Sequence, residues 1–246
     1  KAIDKAADGD IIKVAEGNYF GTLDKGSIEL SKLVTIEGGY SSDFSTRDVL
    51  KHATTIMPNA ASNGTANGSG TIVVDYSKRN GYAMDKTITR LPDNGKLVFD
   101  GLIFDRGNSI AYRYKKDNRE DAGWPEGIET PMMQPIGTAG FNGNFSSEAT
   151  IEPDVFTNES PIISLSTTPV PYELTIKNCA FINCPNYAIR GLFAGKATIS
   201  NNIFVNVRMA AVEVRGCDNK VNAEMYFNYN TVLFCWARKK DLGDMG

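Results

Sequence analysis

Apolar residues occur along the chain in short runs that are rich in β-branched and aromatic side chains. Glycine, asparagine and aspartate separate these runs, and the 3.6-residue periodicity of an amphipathic helix is hard to find. Representative runs are residues 11–14, 33–36, 71–74 and 97–99. The pattern predicts a fold built from many short strands, and residues 1–7 are the segment that could form a short helix or a turn.

An internal repeat underlies this strand pattern. The copies that align without gaps, the last of them weaker, are residues 174–183, 197–206, 225–234 and 97–105. Each copy has the order strand, sharp corner at asparagine or glycine, strand. These two residue types suit the corner because they tolerate left-handed backbone conformations. Asparagine side chains at successive corners can also hydrogen-bond along the stack.

The length of the repeat indicates the architecture. The three clear copies begin at residues 174, 197 and 225, so the units are 23 and 28 residues long. A third strand-like segment follows each of the first two copies, at 186–191 and 210–216. Three short strands in such a unit predict one turn of a parallel β-helix, which buries its inward side chains only by stacking on its neighbours. This architecture requires Ile176, Ile199 and Phe227 to lie directly above one another.

Two phrases near the N-terminus resemble a known group of proteins. Residues 7–19, ADGDIIKVAEGNY, are similar to the opening turn of pectate-lyase-like β-helix proteins, and residues 36–48, IEGGYSSDFSTRD, resemble a phrase of secreted bacterial β-helix repeat proteins. The resemblance implies an all-β fold, a right-handed parallel β-helix (a single-stranded solenoid) with long side loops, at an extracellular or cell-surface location. That superfamily contains polysaccharide lyases, hydrolases, epimerases and adhesins, so the fold does not decide the activity.

We predict one β-helix domain over residues 1–246 that is part of a longer chain. The sequence begins without a methionine or signal peptide and shows no obvious cap after its last repeat. Residues 107–171 break the repeat and are predicted to form a long insertion from the side of the helix. No apolar run is long enough to predict a transmembrane segment.

Composition limits the chemistry. The net charge of −3 provides no basic excess and does not suggest nucleic-acid binding. His52 is the only histidine, which excludes a histidine-rich metal site; a lone histidine can act as a general base but is more often a surface or packing residue. The cysteines Cys179, Cys184, Cys217 and Cys235 lack zinc-type spacing. We expect free thiols and no disulfide, with Cys184 and Cys235 in one inward column.

Arg190 and Arg215 are the candidate catalytic residues, together with Glu213. Each arginine precedes a glycine, and the two lie 25 residues apart, about one turn of the predicted helix. If their positions are equivalent, two stacked guanidiniums face outward with Glu213 and can clamp a sugar carboxylate or sulfate. The resemblance implies more, because lyases of this fold use basic residues on successive turns to neutralise a uronate and remove the adjacent proton. The structural alternative is that both arginines simply pair with Glu213 on a solvated face.

A second candidate surface follows the weak copy of the repeat. Arg113, Tyr114, Lys115 and Trp124 could line a substrate-binding groove, because aromatic faces stack on sugar rings and basic groups attract acidic ones. The alternative is a solvated charged loop. No cofactor is predicted. Calcium binding is left as an alternative, although no acidic cluster can be assigned as its site.

The resulting functional prediction is an extracellular, carbohydrate-active β-helix protein that binds or cleaves an acidic polysaccharide. Cleavage would be β-elimination by a polysaccharide lyase. The competing hypothesis is a non-catalytic surface adhesin or scaffold, so whether the protein is an enzyme stays open. Its predicted partner is a polysaccharide or cell-surface glycan, together with further domains of the same chain. Only a lyase would release unsaturated uronates, which absorb in the ultraviolet.

Overall fold

A computed structural model of the chain describes residues 2–20, 28–57, 72–76, 96–105, 161–165, 172–184, 187–193, 195–207, 210–216 and 223–233. In these residues the chain forms one short helix, α1 (Ala2–Lys5), and seventeen strands. The strands form three sheets, and all of their pairings are parallel.

Each sheet takes every third strand along the chain. Sheet A contains β1 (Ile11–Ala15), β4 (Thr35–Tyr40), β7 (Lys96–Asp100), β10 (Tyr172–Lys177), β13 (Gly195–Ser200) and β16 (Ala223–Asn228). Sheet B contains β2 (Gly17–Phe20), β5 (Thr54–Met57), β8 (Ile103–Asp105), β11 (Ala180–Cys184), β14 (Ile203–Val207) and β17 (Thr231–Leu233). Sheet C contains β3 (Ile28–Leu30), β6 (Ile72–Val74), β9 (Ile163–Leu165), β12 (Tyr187–Phe193) and β15 (Ala210–Gly216). This topology is the predicted parallel β-helix.

The inward side chains form vertical columns. Ile176 is in register with Phe99 on one side and Ile199 on the other, and Ile199 is in register with Phe227. The column required by the sequence repeat is therefore confirmed. Phe99, Ile176 and Ile199 are fully buried, whereas Phe227 is half-exposed on the last described rung. Burial of each such side chain contributes about 1.5–3 kcal/mol, so stacking of rungs is the main source of stability.

A stack of phenylalanines fills the core beneath sheet B. Phe181 is in register with Phe104 and with Phe204, and both ring-centroid distances are 4.9 Å. That distance matches the spacing of hydrogen-bonded strands, about 4.7–4.9 Å. The ring planes lie within 16° and 7° of parallel. The in-register pairing of equivalent strands thus stacks the rings directly.

The corner between sheets A and B repeats on four rungs. Gly101, Asn178, Asn201 and Tyr229 hold this corner with φ of 71°, 55°, 56° and 57°. Asparagine and glycine were predicted here for their tolerance of this conformation, and three of the four positions carry them. The side chains also form the predicted ladder, because Asn201 Nδ2 donates to Asn178 Oδ1 at 2.7 Å.

A second asparagine ladder runs inside the corner. Asn202 Oδ1 accepts a hydrogen bond from the Cys179 N–H at 2.9 Å, and its Nδ2 donates to the Ile176 carbonyl at 3.0 Å. Asn230 repeats both contacts one rung later, accepting from the Asn202 N–H at 2.9 Å and donating to the Ile199 carbonyl at 2.9 Å. These bonds satisfy backbone groups of the corner that would otherwise be buried without partners.

Cysteines continue the inward columns. Cys179 precedes Asn202 in the ladder by one rung, and its Sγ lies 3.7 Å from the Phe99 carbonyl oxygen. Burial raises the pKa of the Cys179 thiol to about 12. Cys184 is in register with Val207, and both are buried. Neither Cys179 nor Cys184 is in a disulfide, and the other two cysteines lie outside the described residues.

Helix α1 packs against the first rung. Ile3 and Ala6 contact the buried core, and Lys32 Nζ donates to the carbonyls of Ile3 and Asp4 at 2.9 and 2.7 Å. The helix therefore covers apolar side chains at this end of the described solenoid.

Within the predicted insertion, 107–171, the structure describes only 161–165, where β9 forms a regular strand of sheet C.

Candidate anion-binding site

Arg190, Glu213 and Arg215 come together on the outer face of sheet C. The register of β12 and β15 places Arg190 opposite Glu213, and Arg215 opposite Leu192. The prediction that the two arginines occupy equivalent positions is therefore wrong. Ile189 points into the core beside Arg190, so alternation along the strand directs Arg190 outward.

Glu213 lies between the two guanidiniums. Its Oε1 accepts a hydrogen bond from Arg215 Nη2 at 2.6 Å, and its Oε2 lies 3.2 Å from Arg190 Nε. Oε2 is buried and accepts no hydrogen bond from the described residues, so its contact with Arg190 is an ion pair without hydrogen-bond geometry. The Glu213 side chain is only 19% exposed, whereas that of Arg215 is 67% exposed. The pairing with Glu213 is the structural alternative that the sequence also allowed.

The environment of Arg190 fixes its guanidinium further. Its Cζ lies 4.5 Å from the ring centroid of Tyr187, in the range of a cation–π contact. Ser164 on β9 is in register with Arg190 on the other side of the strand. Contacts on several sides reduce the side-chain freedom that would be lost when a ligand binds.

The three charged groups have one net positive charge, because two guanidiniums share one carboxylate. A planar guanidinium presents several N–H donors, and Glu213 engages only part of them. Arg215 is the more exposed of the two and therefore offers its remaining donors to solvent or to a ligand. The chemistry of the site suits an oxyanion such as a carboxylate or sulfate.

The proposed substrate-binding residues Arg113, Tyr114, Lys115 and Trp124 lie outside the described residues. Their role stays a prediction. Of the site residues predicted from the sequence, the described part of the chain contains Arg190, Glu213 and Arg215.

A second charged cluster lies at the carboxyl ends of strands β7 and β10 of sheet A. The sequence did not predict it as a site. Asp100 is buried, and its carboxylate receives Asn178 Nδ2 at 2.7 Å, Arg47 Nη2 at 3.1 Å and Lys177 Nζ at 3.4 Å. Arg47 Nε also donates to the Gly38 carbonyl at 3.0 Å. These contacts balance the negative charge of the Asp100 carboxylate and connect the 41–48 loop to sheet A. The cluster therefore has a structural role.

Tyr40 lies beside this cluster. Its hydroxyl donates to Glu37 Oε2 at 2.8 Å, and that hydrogen bond raises the pKa of Tyr40 above its ordinary value. Lys13 Nζ lies 5.2 Å from the centroid of the Tyr40 ring, and Arg47 Cζ lies 5.7 Å from it. In the sequence, the phrase 36–48 contains both Tyr40 and Arg47. It could not predict the cluster, because their partner Asp100 is distant along the chain.

In the described ranges, no group of three or more His, Cys, Asp or Glu residues is placed to hold a metal ion. Of the helical residues that the structure describes, none belongs to a helix long and apolar enough to cross a bilayer. Comparison with protein-family models, with curated proteins and with solved structures gave no match.

Proposed function

We propose that the protein is an extracellular β-helix that binds an acidic polysaccharide through Arg190 and Arg215. The observation that carries the proposal is the geometry of these arginines on sheet C: the Glu213 carboxylate contacts both, and the Arg215 side chain is 67% exposed. The extracellular location and the polysaccharide ligand rest additionally on the resemblance of residues 7–19 and 36–48 to pectate-lyase-like and secreted β-helix proteins.

The geometry favours binding over β-elimination. An arginine that acts as a base must be neutral before it takes the proton next to the uronate carboxylate. Both guanidiniums already contact the Glu213 carboxylate, Arg215 at 2.6 Å and Arg190 at 3.2 Å, and this ion-paired arrangement suits anion binding rather than proton abstraction. A charged guanidinium is, in contrast, the form that binds a carboxylate.

The test is affinity for defined polysaccharides. Polygalacturonate and alginate should bind to the full chain in isothermal titration calorimetry, and binding should weaken as salt is raised because exposed charges are screened. A neutral glucan should not bind. Arg215→Gln should reduce the affinity about tenfold, which corresponds to the loss of one charge-assisted hydrogen bond of about 1.5 kcal/mol.

Lys51→Gln is the matched control, since Lys51 is a highly exposed cation on the 41–53 segment, not on sheet C. It removes the same charge and should leave the affinity unchanged. Equal losses in both variants would show that binding follows net charge alone and would refute the site. Absorbance of unsaturated uronates after incubation with either polymer would show cleavage, and would overturn the conclusion that the geometry favours binding over β-elimination.

A further inference from the structure

His52 is part of a hydrogen-bonded chain of three side chains. Its Nδ1 lies 3.0 Å from Glu16 Oε2, and its Nε2 lies 3.2 Å from Thr46 Oγ1. The order of groups is hydroxyl, imidazole, carboxylate. From the sequence alone, a lone histidine was more easily explained as a surface or packing residue, because its partners lie 6 and 36 positions away.

The protonation states follow from the partners. Hydrogen bonding to His52 lowers the pKa of Glu16, so this carboxylate is ionised and can only accept. In neutral His52, Nδ1 therefore carries the proton and donates to Glu16, which leaves Nε2 as the acceptor. The Thr46 hydroxyl then donates to Nε2. This is the arrangement in which an imidazole can take a proton from a hydroxyl nucleophile.

Backbone contacts hold all three residues in place. Thr46 donates its N–H to Ser41 Oγ at 3.1 Å and accepts the Ser41 N–H at 2.9 Å. His52 donates its N–H to the Asp48 carbonyl at 2.9 Å. The Glu16 N–H donates to a carbonyl of β4 at 2.7 Å. The fold thus pre-organises the side chains of Thr46, His52 and Glu16, which we call the relay. A catalytic group requires such pre-organisation.

The relay is accessible from solvent. Thr46 is exposed, and the side chains of His52 and Glu16 are partly exposed. Thr46 therefore has its hydroxyl oxygen at the surface while its proton is directed at His52. We propose that Thr46, His52 and Glu16 form a nucleophilic site that hydrolyses esters of carboxylic acids, independently of the anion-binding site on sheet C.

The reaction proceeds in two balanced steps. Thr46 Oγ1 attacks the ester carbonyl carbon, the bond from that carbon to the alcohol oxygen breaks, and the hydroxyl proton passes through His52 to the leaving alcohol. Water then attacks the acyl-threonine, giving its proton to His52, and the bond between the acyl carbon and Oγ1 breaks. His52 returns the proton to Oγ1. The sum is ester and water to acid and alcohol.

The expected reactivity is limited to activated esters. Stabilisation of the oxyanion is usually the largest catalytic term, and the Thr46 N–H is already donated to Ser41 Oγ. The relay alone supplies general-base assistance, which is typically worth 100-fold or more. We therefore expect turnover of p-nitrophenyl acetate and covalent labelling by a fluorophosphonate.

The experiment measures labelling of the full chain by a fluorophosphonate, with the modified residue identified by mass spectrometry. Modification should occur at Thr46, and His52→Gln or Glu16→Gln should slow it by about 100-fold and about 10-fold or more, respectively. Thr46→Val should abolish it. Thr46→Ser should retain or increase labelling, because a primary hydroxyl is less hindered, and this rescue separates nucleophilic from structural effects.

Ser42→Ala provides the control, since Ser42 is exposed in the same loop and meets Glu16 through its backbone N–H at 3.2 Å. It should be labelled at Thr46 as fast as the unchanged protein. Labelling at another residue, or an equal rate in His52→Gln with unchanged circular dichroism, would overturn the proposal. So would the absence of labelling in both the unchanged protein and Thr46→Ser.

Discussion

Replacing Asn202 by alanine tests the energetic role of the inner asparagine ladder. Asn202 is 1% exposed and connects two rungs by accepting from the Cys179 N–H and donating to the Ile176 carbonyl. Alanine can do neither. Because Cys179 is itself buried, the variant leaves its N–H without a partner in a space from which water is excluded, and it removes the side-chain hydrogen bond to the Ile176 carbonyl in the β10–β13 pair.

The magnitude follows from those two groups. A buried N–H left without a hydrogen bond costs about 1–3 kcal/mol and the lost bond to the Ile176 carbonyl about 0.5–1.5 kcal/mol, so Asn202→Ala should lower the free energy of unfolding by about 2–4 kcal/mol. Small domains have a total stability of about 5–15 kcal/mol. The variant should therefore be strongly destabilised.

Urea unfolding followed by circular dichroism measures the effect. The matched control is Asn201→Gly, which removes the neighbouring exposed ladder bond to Asn178 while glycine keeps the φ of 56° accessible. It should cost about 1 kcal/mol. Hydrogen exchange supplies a local readout, since the Cys179 amide should lose protection only in Asn202→Ala.

Equal losses of stability in Asn202→Ala and Asn201→Gly would refute this role of the inner ladder. A loss below about 1 kcal/mol for Asn202→Ala would have the same consequence, because it would mean that the orphaned groups find other partners at little cost.

Three further predictions concern other parts of the molecule. Gly191→Ala should prevent or severely impair folding, because a Cβ at φ +148° would collide with the Leu165 carbonyl oxygen; an unchanged thermal midpoint would contradict this. Cys179 should react with a thiol reagent only after denaturation, because burial raises its pKa to about 12, and native-state labelling seen by mass spectrometry would argue against burial. Hydrogen bonds from neighbouring serines lower the pKa of Asp43 from 3.8 to about 2, so its stabilising contribution is present above pH 4 and lost as the pH falls toward 2. The stability difference between the unchanged protein and Asp43→Asn should shrink over that interval in urea titrations, and a constant difference would count against it.

The repeat predicted more than the fold class. Residues 174–183, 197–206 and 225–234 share inward apolar positions, and the structure stacks Ile176, Ile199 and Phe227 as that pattern requires. Local chemistry was sufficient here because a solenoid repeats one set of contacts between neighbouring rungs, so matching positions in the sequence become matching positions in space.

The arginine pair shows where local matching failed. Both arginines precede a glycine, which suggested equivalent positions 25 residues apart, but β12 and β15 pair with an offset of 23, so Arg190 faces Glu213. The same offset of 23 relates β10 to β13 and β11 to β14. The five extra residues of the 28-residue unit fall after β15, between 216 and 223, so they do not shift β15. Register follows the hydrogen-bonded ladder rather than the nearest sequence match.

The sequence by itself determined the strands, the asparagine corners and the inward columns, since each depends on residue type and on contacts that recur at the repeat length. Only the tertiary structure decided which polar side chains meet. Glu16 follows β1, whereas Thr46 and His52 lie in the 41–53 segment, and Asp100 meets Arg47 from another rung. Those meetings depend on the path of individual loops across the outer surface, where no repeated pattern constrains the partners.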